Sequence, residues 1–383
     1  MEVEQKLDHV LSLLPVKILI MGWARDNPTS SLYEKTAAYC EKKNIAFYLW
    51  FPVFSENSLI RSLDGLVDFH GEKILAADSH NSGDEDFSFC CPNNTHNIEK
   101  ILDIFESEFS VFHFDGIFLD KIRYPSSANN QAGKGLNTMF SCSCDFCMAK
   151  YKKADFDAGA LIATLTAALK SPAASPISIK GILKNGEYDF YDPLFSRFFS
   201  LKGEFIKESL EHICTYFREK KLKIGFDVFA PFLSPFVGQN LTSLSTLCDF
   251  IKPMMYRATN APAGLPFETE ALLRESSNFF DYTEIIPGAL EAPASPFDLD
   301  FTARDLEKLV KSSSCPVYAG FEINRKENIS NVHPAYIEET MRAYAKAGSQ
   351  GFVLSWDLMD APKENILKVA EVIKIRNNED ICC

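Results

Sequence analysis

The chain has 383 residues, of which 46% are hydrophobic and 24% charged, and its formal net charge is −13. A chain of this composition buries a large core, which excludes extensive disorder. The excess of carboxylates argues against nucleic acid as a partner, because an acidic surface repels phosphate backbones.

Eight short apolar runs follow one another along the chain, and amphipathic stretches lie between most of them. The runs predicted as buried strands cover residues 17–23, 45–53, 86–91, 114–120, 222–230, 249–256, 316–323 and 351–358. Helices are predicted over residues 31–43, 97–109, 200–220, 300–312, 334–347 and 363–375. Continuous rather than alternating apolar character in the strands indicates a parallel sheet that is buried on both faces.

Eight such units predict an α/β fold, a (β/α)8 TIM barrel, with an open doubly wound sheet as the alternative. The glycine-rich motifs of nucleotide-binding doubly wound sheets do not occur in the sequence. Two long intervals predict an insertion over residues 126–198, after the fourth strand, and another over residues 258–300, after the sixth. Residues 1–383 are therefore expected to form a single TIM-barrel domain with long insertions.

Polar and aromatic side chains are concentrated where the predicted strands end, and barrel enzymes take their functional groups from this edge. The carboxylates at the strand ends are Asp120, Asp227, Glu322 and Asp357. The other candidates are Trp23, Trp50, Arg123, Tyr124, Tyr256 and Trp356. Indole rings stack on sugar rings and carboxylates accept hydrogen bonds from hydroxyls, so this set favours a carbohydrate ligand.

Glycosidic hydrolysis needs one carboxyl group that donates a proton and a second that meets an oxocarbenium-like transition state. Neighbouring strands lie about 4.8 Å apart, so carboxylates on adjacent strands can reach the separation of about 5–5.5 Å of a retaining enzyme. The sequence predicts a retaining glycoside hydrolase with Asp120 as nucleophile and Asp227 as acid/base, Glu322 being the rival acid/base. The other strand-end residues are predicted to bind the sugar.

Other interpretations stay open at this point. Asp120 could be a structural acid that pairs with Lys121 or Arg123, while Glu322 and Asp357 could form salt bridges or helix caps. The alternative function is a non-catalytic carbohydrate-binding barrel that has lost the acid/base pair. A third function is a lyase or aldolase that uses Lys121 as a Schiff base.

The sequence FDGIFLDKIRYP, at residues 114–125, resembles the fourth-strand motif of the glycoside-hydrolase-like TIM barrels. The segments CPNN, GFDVFAP, KPMMY and GFVLSWDL are similar to other parts of that family, so the resemblance covers roughly residues 15–375. It implies a catalytic aspartate at Asp120, with Arg123 and Tyr124 shaping a carbohydrate site. Chitinase-like barrels have a similar strand, but Phe118 and Ile122 stand where their middle aspartate and catalytic glutamate would be.

A C-x-C-x-x-C motif formed by Cys142, Cys144 and Cys147 offers three thiolates within one turn, which is compatible with zinc. The candidates for a fourth ligand are Cys90, Cys91 and His96. The alternative is a group of reduced thiols. Such a zinc site would be structural, and no cofactor is expected for catalysis.

The N-terminus lacks the basic and apolar regions of a signal peptide. No run approaches the roughly 18 apolar residues that a membrane span needs. The 11 cysteines are expected to be reduced, apart from any that bind metal. We therefore expect a cytoplasmic protein without a membrane partner, and the sequence carries no signal for its oligomeric state.

Overall fold

The computed structural model describes residues 3–23, 30–55, 63–74, 88–129, 135–170, 177–286 and 295–379. Within these ranges the centre of the fold is a parallel sheet of seven strands. The strands are β1 (Ile18–Met21), β2 (Ala46–Pro52), β3 (Gly116–Asp120), β4 (Lys223–Phe229), β5 (Phe250–Met254), β6 (Tyr318–Glu322) and β7 (Gly351–Ser355). They lie side by side in chain order. In the described part of the chain β1 and β7 do not pair, so the sheet is a curled half-barrel.

The described residues form seven strands of this sheet instead of the predicted eight, because residues 88–91 form no strand of it. Residues 86 and 87 lie outside the described ranges, and Cys90 makes only an isolated antiparallel bridge with Gly65. Strands β2 and β3 pair directly with each other, so no strand lies between them. Residues 89–91 are buried. A buried loop produces the same short apolar run as a buried strand, which explains the wrong prediction.

Helices pack around the sheet and share its hydrophobic core. They are α1 (Val3–Leu13), α2 (Ser30–Lys43), α3 (Thr95–Ile104), α4 (Gly135–Met139), α5 (Asp145–Lys153), α6 (Ala158–Lys170), α7 (Pro193–Glu219), α8 (Leu241–Leu244), α9 (Leu265–Ser276), α10 (Leu299–Ser312), α11 (Pro334–Lys346) and α12 (Lys363–Glu379). Short helical turns cover Phe105–Phe109, Ser127–Asn129 and Ser234–Val237. None of the described helices is long and apolar enough to cross a membrane.

The longest helix, α7, begins earlier than the predicted residue 200. Asp192 caps its first turn, since Leu194 N donates to Asp192 Oδ1 at 2.9 Å. Pro193 follows at the first helical position, where its fixed φ favours a helix and its missing N–H costs nothing. The helix therefore starts inside the segment that the sequence assigns to an insertion.

The two predicted insertions meet in a small sheet of their own. In the insertion over residues 126–198, Ile177–Ile182 pairs antiparallel with Tyr188–Phe190. Phe280–Asp281, from the insertion over residues 258–300, pairs parallel with Ile177–Ile182. Phenylalanines pack against one another beside this sheet, and they include Phe140, Phe190, Phe195, Phe199 and Phe280. A two-stranded ladder at Arg325–Lys326 and Ser330–Asn331 lies apart from it.

Residues that pair across neighbouring strands stand at the same level of the half-barrel, and their interior side chains lie side by side. Trp50, Phe118, Gly225 and Phe250 stand at one level across β2 to β5. The rings of Phe118 and Phe250 stack with centroids 5.8 Å apart. A Cβ atom at Gly225 would lie 2.2 Å from Cζ of Phe250 and 2.8 Å from Cδ2 of Phe118. Glycine is therefore required between these rings.

Replacing Gly225 by Ala should lower the free energy of unfolding by about 1–3 kcal/mol, because the added methyl group overpacks the interior. Urea unfolding followed by circular dichroism measures this loss. The matched control is Gly159→Ala on α6, where the nearest atom to an added Cβ is Asp157 Oδ1 at 3.3 Å. The control should be neutral or slightly stabilising. Equal effects of the two variants would contradict the packing argument.

Candidate active site

A cavity of about 2080 Å³ opens at the C-terminal ends of the strands. It extends into the gap between β1 and β7, where apolar side chains line it, among them Ile18, Ile20, Phe352 and Leu354. The polar and aromatic residues around its mouth include Trp50, Asp120, Asp227, Lys252, Tyr256, Ser355, Trp356 and Asp357. The fold thus gathers most of the predicted strand-end residues around one space.

Asp120, the last residue of β3, is held by two N–H donors. Trp50 Nε1 donates to its Oδ2 at 3.0 Å, and the backbone N of Lys121 donates to its Oδ1 at 2.5 Å. The chain turns at Lys121, whose φ is 53°. The two donors fix the orientation of the carboxylate and stabilise its negative charge.

Asp227 stands beside Asp120 on the neighbouring strand. Leu119 on β3 pairs with Phe226 on β4, so the next residue of each strand, Asp120 and Asp227, lies at the same level. Parallel strands are about 4.8 Å apart. Side chains two residues apart share a face, so both carboxyl groups lie on the interior face with Phe118. The Cα atoms of Asp120 and Asp227 are therefore about one strand spacing apart.

Lys252 on β5 forms a buried ion pair with Asp227. Its Nζ donates to both carboxylate oxygens of Asp227 at 2.9 Å. The same Nζ donates to the Tyr256 hydroxyl, which in turn donates to Ser355 Oγ at 3.0 Å. A Cβ atom at Gly320 would lie 2.2 Å from Lys252 Cε, so glycine leaves the space through which the lysine reaches Asp227. This network crosses the interior from β4 to β7.

The two members of the ion pair have shifted pKa values. Burial raises the pKa of Asp227 to about 7; Lys252 opposes this shift and the charge of Asp120 adds to it. Burial disfavours the charged form of Lys252, but Asp227 and Tyr256 outweigh burial and raise its pKa above the ordinary value. Burial therefore favours the protonated form of Asp227, and the ion pair favours the charged form of Lys252.

The loop after β7 presents Trp356 to the cavity with 39% of its surface exposed. Asn324 holds this loop, since its Oδ1 accepts hydrogen bonds from Trp356 N at 2.8 Å and Asp357 N at 3.1 Å. Its Nδ2 donates to Asp357 O at 2.8 Å. Asp357 Oδ1 accepts from Met359 N at 2.7 Å, so one of its carboxylate oxygens has a structural role.

Four of the candidate residues lie outside the cavity lining. The carboxylate of Glu322 is fully buried, and its Oε1 accepts from Ala258 N at 2.6 Å and from Thr259 Oγ1 at 3.2 Å. Burial raises the pKa of Glu322. Trp23 stacks on Phe109 with ring centroids 5.7 Å apart. The structure thus places Glu322 under the loop after β5 and Trp23 in the outer core.

Arg123 and Tyr124 are the other two residues outside the cavity lining. Arg123 Nη1 donates to Tyr124 O at 2.9 Å and to Asn129 Oδ1 at 3.0 Å, and its guanidinium lies 4.2 Å from the centre of the Phe229 ring. The buried ring of Tyr124 faces Lys202 Nζ at 4.4 Å. Both side chains hold the loop that follows Asp120.

Two polar residues of the site, Lys252 and Ser355, are absent from the sequence-based candidates. The signal for Lys252 is a single charged residue inside the apolar segment FIKPMMY, two positions from Phe250 and from Met254. A buried strand accepts such a charge only with a partner. Asp227, in the middle of the apolar segment GFDVF, is that partner.

No family model matches the sequence, and no curated protein is similar to it. Among solved structures the chain is similar to the PgaB (BpsB) glycoside hydrolase domain from Bordetella bronchiseptica, with a TM-score of 0.57 and 13% identity over 96% of this chain and 92% of that chain. It is also similar to alpha-L-fucosidase isoenzyme 2 from Paenibacillus thiaminolyticus, with a TM-score of 0.53 and 10% identity over 99% of this chain. The match covers 47% of that fucosidase, about half its length. The chain therefore has a glycoside-hydrolase-like α/β fold.

Replacing Lys252 by Met should leave Asp227 buried without a partner charge and cost about 3–5 kcal/mol of unfolding free energy near pH 8. In the native protein the raised pKa makes stability fall as pH rises from 3.8 to about 7. Without Lys252 the pKa of Asp227 rises further, so the free energy of unfolding continues to fall at higher pH. Near pH 5 Asp227 is protonated with or without Lys252, so the substitution lowers the free energy of unfolding by less than it does near pH 8. Urea unfolding at both pH values measures the difference.

The matched control for this variant is Lys311→Met. Lys311 Nζ lies 2.6 Å from Glu307 Oε1 in an exposed pair. Losing that pair should cost less than about 1 kcal/mol at either pH. If the Lys252 and Lys311 variants lose the same stability near pH 8, the buried pair does not have the role assigned to it.

Proposed function

We propose that this protein is a retaining glycoside hydrolase that cleaves an O-glycosidic bond of an oligo- or polysaccharide. The observation that carries the proposal is the pair Asp120 and Asp227, which line one cavity at the same level of neighbouring strands. One strand spacing is close to the separation of about 5–5.5 Å used by retaining enzymes. The glycoside-hydrolase-like fold supports the same reaction class.

In the first half of the proposed reaction, a carboxylate oxygen of Asp120 attacks the anomeric carbon. The bond from that carbon to the leaving oxygen breaks, and Asp227 transfers its proton to this oxygen. In the second half Asp227 accepts a proton from water, whose oxygen attacks the anomeric carbon and releases Asp120. Both aspartates return to their starting protonation states.

The environments of the two aspartates support this division of roles. A nucleophile must be charged, and Asp120 has the N–H groups of Trp50 and Lys121 directed at its oxygens. A general acid must keep its proton close to neutral pH, and burial raises the pKa of Asp227 to about 7. Two carboxyl groups held in different environments are the usual basis of such a division.

The aromatic and carboxylate side chains of the cavity wall suit a carbohydrate ligand. The exposed indole of Trp356 provides a flat apolar surface on which a sugar ring stacks, and Asp357 lies beside it in the lining. Trp50 and Tyr256 line the same space next to the carboxyl pair. We therefore infer a sugar substrate that contacts these aromatic and carboxylate side chains.

One observation favours a second function, carbohydrate binding without turnover. Both oxygens of Asp227 accept hydrogen bonds from Lys252, an arrangement that hinders proton donation. A protein of this kind would retain the aromatic cavity and bind the glycan without hydrolysing it. Measuring binding and turnover on the same glycan panel separates the two functions.

Replacing Asp120 by Asn should lower kcat at least about 10³-fold, because the amide cannot form the glycosyl–enzyme bond. A screen of chromogenic glycosides supplies the substrate, and a 2-fluoro glycosyl fluoride of the same sugar should label Asp120, as located by peptide mass spectrometry. The matched control is Asp115→Asn, just before the start of the same strand. The carboxylate of Asp115 accepts from Phe47 N at 2.8 Å, which an amide oxygen can also do. Unchanged activity of the Asp120 variant would exclude the proposed role.

Replacing Asp227 by Ala should slow hydrolysis of substrates with poor leaving groups by about 10²–10⁴-fold. Substrates with a dinitrophenolate leaving group need no protonation and should lose far less activity. In the unaltered enzyme kcat/KM should fall above about pH 7 as Asp227 loses its proton. An equal loss on both classes of substrate would assign Asp227 a structural role instead.

A further inference from the structure

Four cysteine sulfurs gather in the protein behind the cavity wall. The Sγ atoms of Cys91, Cys142, Cys144 and Cys147 all lie within 4.8 Å of one another. Cys91 Sγ is 3.5 Å from both Cys144 Sγ and Cys147 Sγ. A disulfide bond has sulfurs about 2.05 Å apart, so these thiols are not bridged.

The spacing of the sulfurs suits a single metal ion. Zinc–sulfur bonds of about 2.3 Å in a tetrahedron place the ligand sulfurs about 3.8 Å apart. The two distances from Cys91 are close to this value, and they require little movement of the chain. The fold therefore selects Cys91 from the candidates for the fourth ligand. His96 is exposed beside Glu99 instead.

Polar groups of the surrounding chain point at the sulfurs. Asn93 Nδ2 donates to Cys147 Sγ at 3.2 Å, and the backbone N of Val67 donates to Cys142 Sγ at 3.3 Å. Hydrogen bonds of this kind stabilise thiolates and orient them toward a metal. Asn93 is itself buried, and its amide nitrogen donates this hydrogen bond inside the protein. Ordinary packed thiols have no need of such donors.

A buried lysine lies near the cluster. Lys202 is fully buried on α7, and its Nζ donates to the carbonyl oxygens of Met139 at 2.7 Å and Phe236 at 3.5 Å. Burial lowers the pKa of Lys202 to about 7, and negative charge on Cys142 and Cys147 opposes that shift. Four thiolates around one Zn²⁺ carry a net charge of −2, which a neighbouring cation offsets.

We propose that Cys91, Cys142, Cys144 and Cys147 bind one zinc ion in a structural site. The four thiols lose their protons to solvent as the ion binds. All four positions of the tetrahedron are occupied by the protein, so none is left for substrate or for a reactive water. The ion would fasten the loop at Cys91 to the segment at the start of α5, and the hydrogen bond from Val67 N to Cys142 Sγ joins the loop around Val67 to them.

The matched variants are Cys91→Ala and Cys90→Ala. The two cysteines are adjacent and equally buried, but only Cys91 belongs to the cluster. The unaltered protein and the Cys90 variant should contain one zinc ion per chain by elemental mass spectrometry, and the Cys91 variant less than about a tenth of that after exposure to zinc and dialysis. If the Cys90 variant loses as much zinc as the Cys91 variant, the assignment of the ligands is wrong.

Cobalt substitution tests the site even where the Cys91 variant does not fold. Co²⁺ bound to the chelator-treated, unaltered protein should give the intense visible and near-ultraviolet absorption of a tetrahedral thiolate site. An adventitious site made of imidazole and carboxylate ligands gives a weaker spectrum, and that result would overturn the proposal. A disulfide among the four cysteines in freshly purified protein would also overturn it. None of these readouts depends on glycosidase activity.

Discussion

The interior of the half-barrel is organised around the buried ion pair of Lys252 and Asp227. Removing two charges from water costs several kcal/mol for each ion, and the fold offsets this cost only with close geometry and further hydrogen bonds. The bifurcated contact at 2.9 Å supplies the geometry, and the Tyr256 hydroxyl supplies an additional acceptor. The absence of a side chain at Gly320 supplies the space. The register of β4 and β5 places Asp227 directly opposite Lys252, which allows this arrangement.

This constraint also explains how two aspartates one strand apart differ in chemistry. Asp120 lies at the end of its strand with indole and backbone N–H groups at its oxygens. Asp227 lies within its strand, where burial raises its pKa and the ammonium group of Lys252 opposes that shift. The charge of Asp120 also raises the pKa of Asp227. The same side-chain type therefore has different surroundings at the two positions, and the proposed division of roles rests on this difference.

The sequence predicted the strand ends well, because burial and strand termination leave strong local signals. Asp120, Asp227 and Trp356 line one cavity, as expected for residues at the C-terminal ends of barrel strands. Prediction failed where the signal was not local. Arg123 and Tyr124 follow the turn at Lys121, beyond which strand alternation no longer determines orientation. Residues 89–91 are apolar because they belong to a buried loop. Asp227, the partner of Lys252, lies far from it in the sequence. Only the pairing of β4 with β5 brings the two side chains together.

The cysteine cluster bears on the site through the loop that follows Asp120. Arg123 ties the beginning of this loop to Asn129, and the ring of Tyr124 rests against the ammonium group of Lys202. Lys202 in turn interacts with charge on Cys142 and Cys147. A metal in the proposed site would therefore stabilise the loop from behind while contributing no ligand position to the cavity. The metal would help to fix the position of Asp120. A glycosidic reaction requires its carboxylates to be held rigidly at defined distances from the reacting atoms.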